Sequence, residues 1–132
     1  MPWQERWLER RELGGNLSYA IVQDGVLVGA CCLFRRDDER DDIREIGYWL
    51  HPAATGRGLA TRASRALVAE AFRIPGVGHV EISHDRANHR SGAVPARLGF
   101  TELGPRPAER LAPADTGEDR VWRLSRADGT VD

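Results

Sequence analysis

Lysine is absent from this chain: all 19 of its basic residues are arginine. That bias reflects coding-base composition rather than chemistry. The formal charge of -1 excludes a strongly basic surface, so nothing in the balance of charge points to nucleic acid. Cysteine is scarce too. Cys31 and Cys32 are neighbours inside an apolar run, where they cannot easily bridge each other, so a reduced compartment fits best. No apolar stretch approaches the ~20 residues of a membrane span. The start lacks the basic-then-apolar pattern of a signal peptide, and the expectation is a cytoplasmic protein without membrane association. Four histidines and two cysteines form no familiar ligand spacing, so no metal is expected. What remains, 132 residues with 41% apolar content, is enough for one sizeable core and too little for two domains.

Periodicity organises that single domain, residues 1–132. "WQERWLERREL" places Trp3, Trp7 and Leu8 on one stripe, which predicts a short amphipathic helix ended by Gly14-Gly15. "LSYAIV" and "VLVGACCLF" flank Asp24-Gly25, a pair suited to the positive φ angles of a type I′ turn. A β-hairpin with strands near 18–23 and 26–34 follows. The charge run "RRDDERDD" (35–42) reads as a solvated loop. From Ile43 to Leu50 the side chains alternate, with Ile46, Tyr48 and Leu50 on one face and Glu45, Gly47 and Trp49 on the other; Pro52 stops the strand. Leu59, Ala63, Ala66, Leu67 and Ala71 then mark an amphipathic helix over 58–73. "VGHVEISH" is the next strand, and a shorter helix spans about 89–98 and is closed by Gly99. Pro95 is expected to distort that helix's first turn or delay its start. "FTELG" and "DRVWRLS" form a last strand pair around a Pro-rich excursion over 104–117. The sum is an α/β (α+β) domain, a mixed sheet with helices packed on it.

The passage from strand to helix carries the chemistry. Gly56, Gly58 and Ala60 stand at a helix start, where the first N–H groups lack intrahelical partners and the macrodipole is positive, so backbone alone can bind an anion. A tight turn with no ligand explains the glycines equally well. A dinucleotide site is a further alternative, since 56–61 half matches GxGxxG and Glu81 lies about 20 residues on. Against it, Thr61 replaces the third glycine, a Pro-containing segment intervenes, and only one convincing βαβ unit is present.

"EIGYWLHPAATGRGLATRA", followed after one helix and one strand by "HDRANHRSGAVPARLGF", resembles the GNAT superfamily of N-acetyltransferases. More narrowly it is similar to the ribosomal-protein N-acetyltransferase-like (RimJ/RimL) branch. The resemblance covers about 18–125. It implies a mainly antiparallel sheet with a central splayed parallel strand pair and flanking helices. It also implies acetyl-CoA as co-substrate, held by Thr55, Gly56, Arg57, Gly58, Leu59, Ala60 and Thr61 around the diphosphate. Thr55 stands where Arg or Gln is usual. Trp49, Leu50 and His51 would pair through their backbone with the pantetheine, and Asn88 and Ser91 would line its arm. Asn88 also reads as an ordinary helix cap. Gly92 and Pro95 depart from the commoner pattern.

Acetyl transfer to an amine needs a neutral amine, a polarised carbonyl and a proton for the departing thiolate. Glu45, on the strand where other GNAT branches carry a base, is the first candidate base, alongside a structural pairing with a nearby Arg. His84 is the second and His51 the third, each with a plain packing role as its alternative. Ser91 is the candidate donor to the thiolate. The resemblance further implies a strand and helix ahead of Met1-Pro2-Trp3, so the domain is expected to be N-terminally short. The strand near 18–23 would then show an unpaired edge, which a second copy would cover in a homodimer. The acceptor is expected to be a small-molecule amine or a protein N-terminus. A degenerate module that binds coenzyme A or a protein partner without transfer is the competing reading.

Overall fold

The computed structural model describes residues 10–13, 16–35, 40–56, 58–107 and 113–126. Among them lies one seven-stranded sheet. Its strands are β1 (Arg10–Leu13), β2 (Asn16–Gln23), β3 (Val26–Phe34), β4 (Ile43–Leu50), β5 (His79–Asp85), β6 (Thr101–Pro107) and β7 (Glu118–Ser125). A one-turn 3-10 helix (Pro52–Ala54) and α1 (Leu59–Arg73) connect β4 to β5, and α2 (His89–Arg97) connects β5 to β6. The spatial order is β1-β2-β3-β4-β5-β7-β6. Every neighbouring pair is antiparallel except β4 and β5. No helix among the described residues is long and apolar enough to cross a membrane.

Local chemistry accounts for most elements. Asp24 and Gly25 take φ of 53° and 79°, the double left-handed geometry that a two-residue turn between twisted strands requires. In α1 the buried residues Leu59, Ala63, Leu67, Val68 and Ala71 form one stripe, and its alanines let the helix lie close against β3, β4 and β5. Leu67 is fully buried there; truncating such a side chain to alanine costs about 2–5 kcal/mol. Ile46, Val80, Ile82 and Leu124 meet α1 and α2 in the same apolar cluster.

The N-terminal expectation needs correction. Arg10–Leu13 is a strand paired antiparallel to β2, with Arg10 opposite Tyr19 and Leu13 opposite Asn16. The unpaired N–H and C=O groups along β2 outweigh a four-residue segment's modest helical preference. Residues 1–9, with Trp3, Trp7 and Leu8, lie outside the described residues. The edge of β2 is therefore covered over Asn16–Tyr19 by this chain itself, which removes the argument from that stretch for a covering partner.

Two further expectations change. β6 continues through Gly104, Pro105 and Pro107 instead of ending at 104. It is the outer strand, where a missing N–H costs no ladder bond, and a bulge at Glu102/Gly104 with Gly104 at φ 119° absorbs the irregularity. In the charged run, residues 36–39 lie outside the described residues. Of the rest, Arg40 pairs with Asp42 at 2.8 Å and Arg35 with Asp41.

β4 and β5 form the one parallel pair among the described strands, from Ile43 opposite His79 to Ile46 opposite Ile82. Beyond that point β4 runs on against β3 as far as Leu50, while β5 runs on against β7 as far as Asp85. The two strands diverge into a wedge at the sheet's centre. On the β5 side, Gly47–Leu50 has no strand partner among the described residues.

Candidate functional site

The chain leaves β4 under tight control. His51 N–H donates to Val28 O at 2.7 Å, and its Nδ1 accepts from Ala53 N–H at 3.1 Å, capping the 3-10 turn that Pro52 opens. Thr55 Oγ1 donates to Pro52 O at 2.8 Å. Gly56 and Gly58 then take φ of 79° and 75°, which L side chains rarely adopt. A Cβ built on either would meet nothing within 4 Å. The glycines are thus required by the backbone, and the space above them is open. α1 starts at Gly58 with no side-chain cap and no acidic residue in its first turn. Its first residues, Leu59, Ala60 and Thr61, whose N–H groups have no partner four residues back within the helix, line the same opening. Arg57 lies outside the described residues.

α2 forms the opposite bank. Asn88 caps it, its Oδ1 accepting from Ser91 N–H at 3.2 Å, so the plain capping role is real. Pro95 neither delays nor distorts the first turn; it lies inside a helix that already begins at His89. Its ring deprives the Ser91 carbonyl of the helical N–H four residues on. Tyr48 makes up the loss, its hydroxyl donating to Ser91 O at 3.3 Å. Ser91 is therefore held through its N–H by Asn88 and through its carbonyl by a β4 side chain. Burial pushes the Tyr48 hydroxyl pKa up, and a hydrogen bond with the Ser91 side chain partly offsets this.

Between these banks lies a cleft of about 610 Å³. Its walls include Trp49 and Leu50 from β4, Thr55 to Thr61 apart from Arg57, and Asn88, Ser91 and Val94. Of the expected cofactor residues that are described, it gathers all but His51. Among the described residues its lining has two arginines, Arg90 and Arg97, and no carboxylate. The bare start of α1 adds further positive potential. A cleft of this size, open over two glycines and with arginine as its charged lining among the described residues, fits an elongated anion whose apolar arm lies along the wedge.

The candidate catalytic residues are not brought together. Ser91 is in the cleft. Glu45 lies on the opposite face of the sheet and is 3% exposed. Its Oε2 accepts from Ser83 Oγ at 2.9 Å, and its Oε1 meets Arg106 Nη2 at 3.4 Å. His84 lines a second cavity of about 320 Å³ behind α2. Its Nε2 accepts from Trp122 Nε1–H at 3.0 Å, while Nδ1 faces Asp85 O at 2.8 Å, which makes Nδ1 the protonated nitrogen. With both nitrogens engaged, its geometry is that of a packed histidine. A Cβ at position 92 would sit 2.9 Å from His84 Nε2, so Gly92 follows from the ring it packs against.

Sequence reasoning missed Tyr48, Arg90 and Arg97. The two arginines share a helix face with Ala93 and Val94, a spacing that was readable once α2 was placed. Tyr48's role was not readable, because Pro95 announces an orphan carbonyl without saying what fills it. The dinucleotide alternative fails on two counts. Its acidic residue, Glu81, is held by Arg123 at 2.6 Å on the far face, and the sheet is mainly antiparallel.

Comparison with known proteins decides the family. Residues 2–101 match the family described as "Acetyltransferase (GNAT) domain". The chain belongs to the GNAT acetyltransferase family. It is 33% identical over 102 residues to YdaF of Bacillus subtilis (strain 168), provisionally named a ribosomal N-acetyltransferase; the match covers 77% of this chain. A crystal structure carrying a provisional acetyltransferase name superposes with a TM-score of 0.77 at 28% identity over 86% of this chain. RimJ of Mycobacterium smegmatis, in complex with a coenzyme A disulfide, superposes at 0.72 with 24% identity over 86% of this chain. The GNAT chain described here spans 53% of the length of YdaF, 64% of the first structure and 55% of RimJ. The central wedge and flanking helices are those the GNAT resemblance implies.

Proposed function

We propose that this GNAT domain binds acetyl-CoA in the cleft between β4, α1 and α2 and transfers its acetyl group to the amine of a protein N-terminus or small molecule. The observation that carries this reading is the convergence on one opening of an uncapped helix start, two left-handed glycines and a lining with arginines and no carboxylate. The thioester donor supplies the activated acetyl group. The residues of the chain do the rest. Amides at the start of α1 bind the diphosphate. Backbone groups of Gly47–Leu50, which lack a strand partner on the β5 side, orient and polarise the carbonyl. The amine lone pair attacks the carbonyl carbon, the C–S bond breaks, the new amide nitrogen gives up a proton to Glu45 or to water, and the thiolate takes up one through Ser91 Oγ, which regains it from solvent. Glu45, at the vertex of the wedge and linked through Ser83, is the carboxylate in reach of an amine arriving from the opposite face. Much of the rate comes from holding the reactants together, worth effective molarities of ~10⁵ M or more.

Isothermal calorimetry with acetyl-CoA, followed by mass-spectrometric detection of acetyl transfer to a panel of N-terminal peptides, polyamines and amino acids, tests this reading. Saturable binding with transfer to at least one amine class is expected. Binding with no transfer would favour a non-catalytic coenzyme A module, a reading supported by the engagement of both Glu45 oxygens. No binding would sink both. A cytoplasmic location and a homodimer remain further proposals, the first consistent with two free cysteines, the second testable by light scattering.

A further inference from the structure

Arg90 occupies a position that helix electrostatics disfavour. It is the second residue of α2, in a first turn without any acidic residue, where the macrodipole is already positive. Arg97, at the other end of the same helix, sits where a cation is favoured. Arg90 Nη1 reaches across the cleft mouth and donates to Thr55 Oγ1 at 3.3 Å. Thr55 is oriented to accept, because its own proton goes to Pro52 O. Among the described residues Arg90 has no carboxylate partner. The second cavity is different: there Arg120 meets Glu102 at 2.9 Å and Arg86 meets Glu118 at 3.8 Å. Three positive features thus converge on the mouth of the main cleft without a counter-charge: the start of α1, the start of α2 and the Arg90 guanidinium.

We propose that Arg90, tethered by Thr55, is the side chain that clamps the donor's diphosphate from the α2 bank, and that it makes the site selective for thioester donors that carry this group. The assignment rests on the acetyl-CoA reading above. It explains how the turn functions with threonine at its first position: the guanidinium arrives from the facing helix, uses one N–H on Thr55 and keeps the rest of its fork for phosphate oxygens. The opposing anion also removes the unfavourable placement of a cation at a helix start.

The test compares acetyl-CoA with S-acetylpantetheine, which has the same reactive arm and no phosphate, by calorimetry on the full chain. Arg90→Gln is expected to weaken acetyl-CoA by about tenfold or more, the usual weight of a charge-assisted phosphate contact, and to leave S-acetylpantetheine unchanged. Thr55→Val, which removes only the tether, should weaken acetyl-CoA by a smaller factor, about threefold. Added salt should weaken acetyl-CoA binding to the wild type more than to Arg90→Gln. Unchanged acetyl-CoA affinity in Arg90→Gln would overturn the proposal while the donor site stands. Equal losses for both ligands would overturn it too, showing an effect on cleft shape. A wild type that takes up neither ligand would mark failure of the donor-site reading itself.

Discussion

The two helices that bank the cleft begin in opposite ways. α2 starts with Asn88, whose side chain accepts from the Ser91 amide, while α1 starts with Gly58 in a left-handed conformation and no cap. Gly58 takes a φ of 75° that L side chains rarely adopt, so the turn itself leaves α1 without a side-chain cap. The difference shows a division of labour. The capped start fixes Ser91 in position, and the bare start keeps its amides available to an incoming anion.

The sharpest way to break the contrast is to give α1 the acid it lacks. Thr61→Glu places a carboxylate in the third helical position, which suits the dipole, and on the cleft wall, where it opposes the diphosphate. Thermal melting should show unchanged or increased stability, while calorimetry should show acetyl-CoA affinity falling on the order of 100-fold, since like charges in contact cost several kcal/mol. Stability and binding would then move in opposite directions. If they fall together, the bare start is not a ligand site.

A smaller effect should appear on the α2 side. Tyr48→Phe removes the donor to the Ser91 carbonyl, and urea denaturation should show a loss of about 1–2 kcal/mol. In a Pro95→Ala background the alanine N–H is available to that carbonyl, so the same change should cost less than half as much. Additive losses in this double-mutant cycle would refute the pairing of Tyr48 with Pro95.

Removing the cap itself by Asn88→Ala should cost about 1 kcal/mol and mainly loosen the first turn of α2, seen as faster amide exchange at Ser91. The smallest effect concerns the turn before that cap. Asp85 accepts from Ala87 N–H and Thr116 N–H, each at 2.8 Å, and these bonds hold its carboxyl below the usual carboxylate range. A group that ionises more readily in the folded state adds stability above its unfolded pKa, near 3.9, and loses it as pH falls through the folded value. The stability gap between wild type and Asp85→Asn should therefore be present at pH 7 and close below about pH 4. A gap that persists in acid would mean the carboxylate's charge is not what holds the turn.

Much of the architecture could be read locally. Asp24-Gly25 marked its hairpin, the alternation in 43–50 assigned β4's two faces, and the spacing from Leu59 to Ala71 placed α1. Residues 10–13 were misread as the end of a helix because their helical rhythm is weak and their fate was set by the open edge of β2. The same limit applied at the site. The glycine turn was legible because positive φ and an uncapped helix start are properties of a few consecutive residues. Glu45 and His84 stood as first and second candidate base and Ser91 as the donor to the thiolate, but folding put Glu45 on the far face of the sheet and Ser91 and His84 in different cavities.

Sequence alone was sufficient for the hairpin, for β4, β5 and the two helices, and for a glycine turn at the start of α1, because these depend on interactions within a few residues. Folding in three dimensions settled which arginine faces that seat, which hydroxyl answers Pro95, and which carboxylate is held in ion pairs. Those are contacts between residues 35 to 61 positions apart, and only the packing of the helices on a splayed sheet brings them within reach.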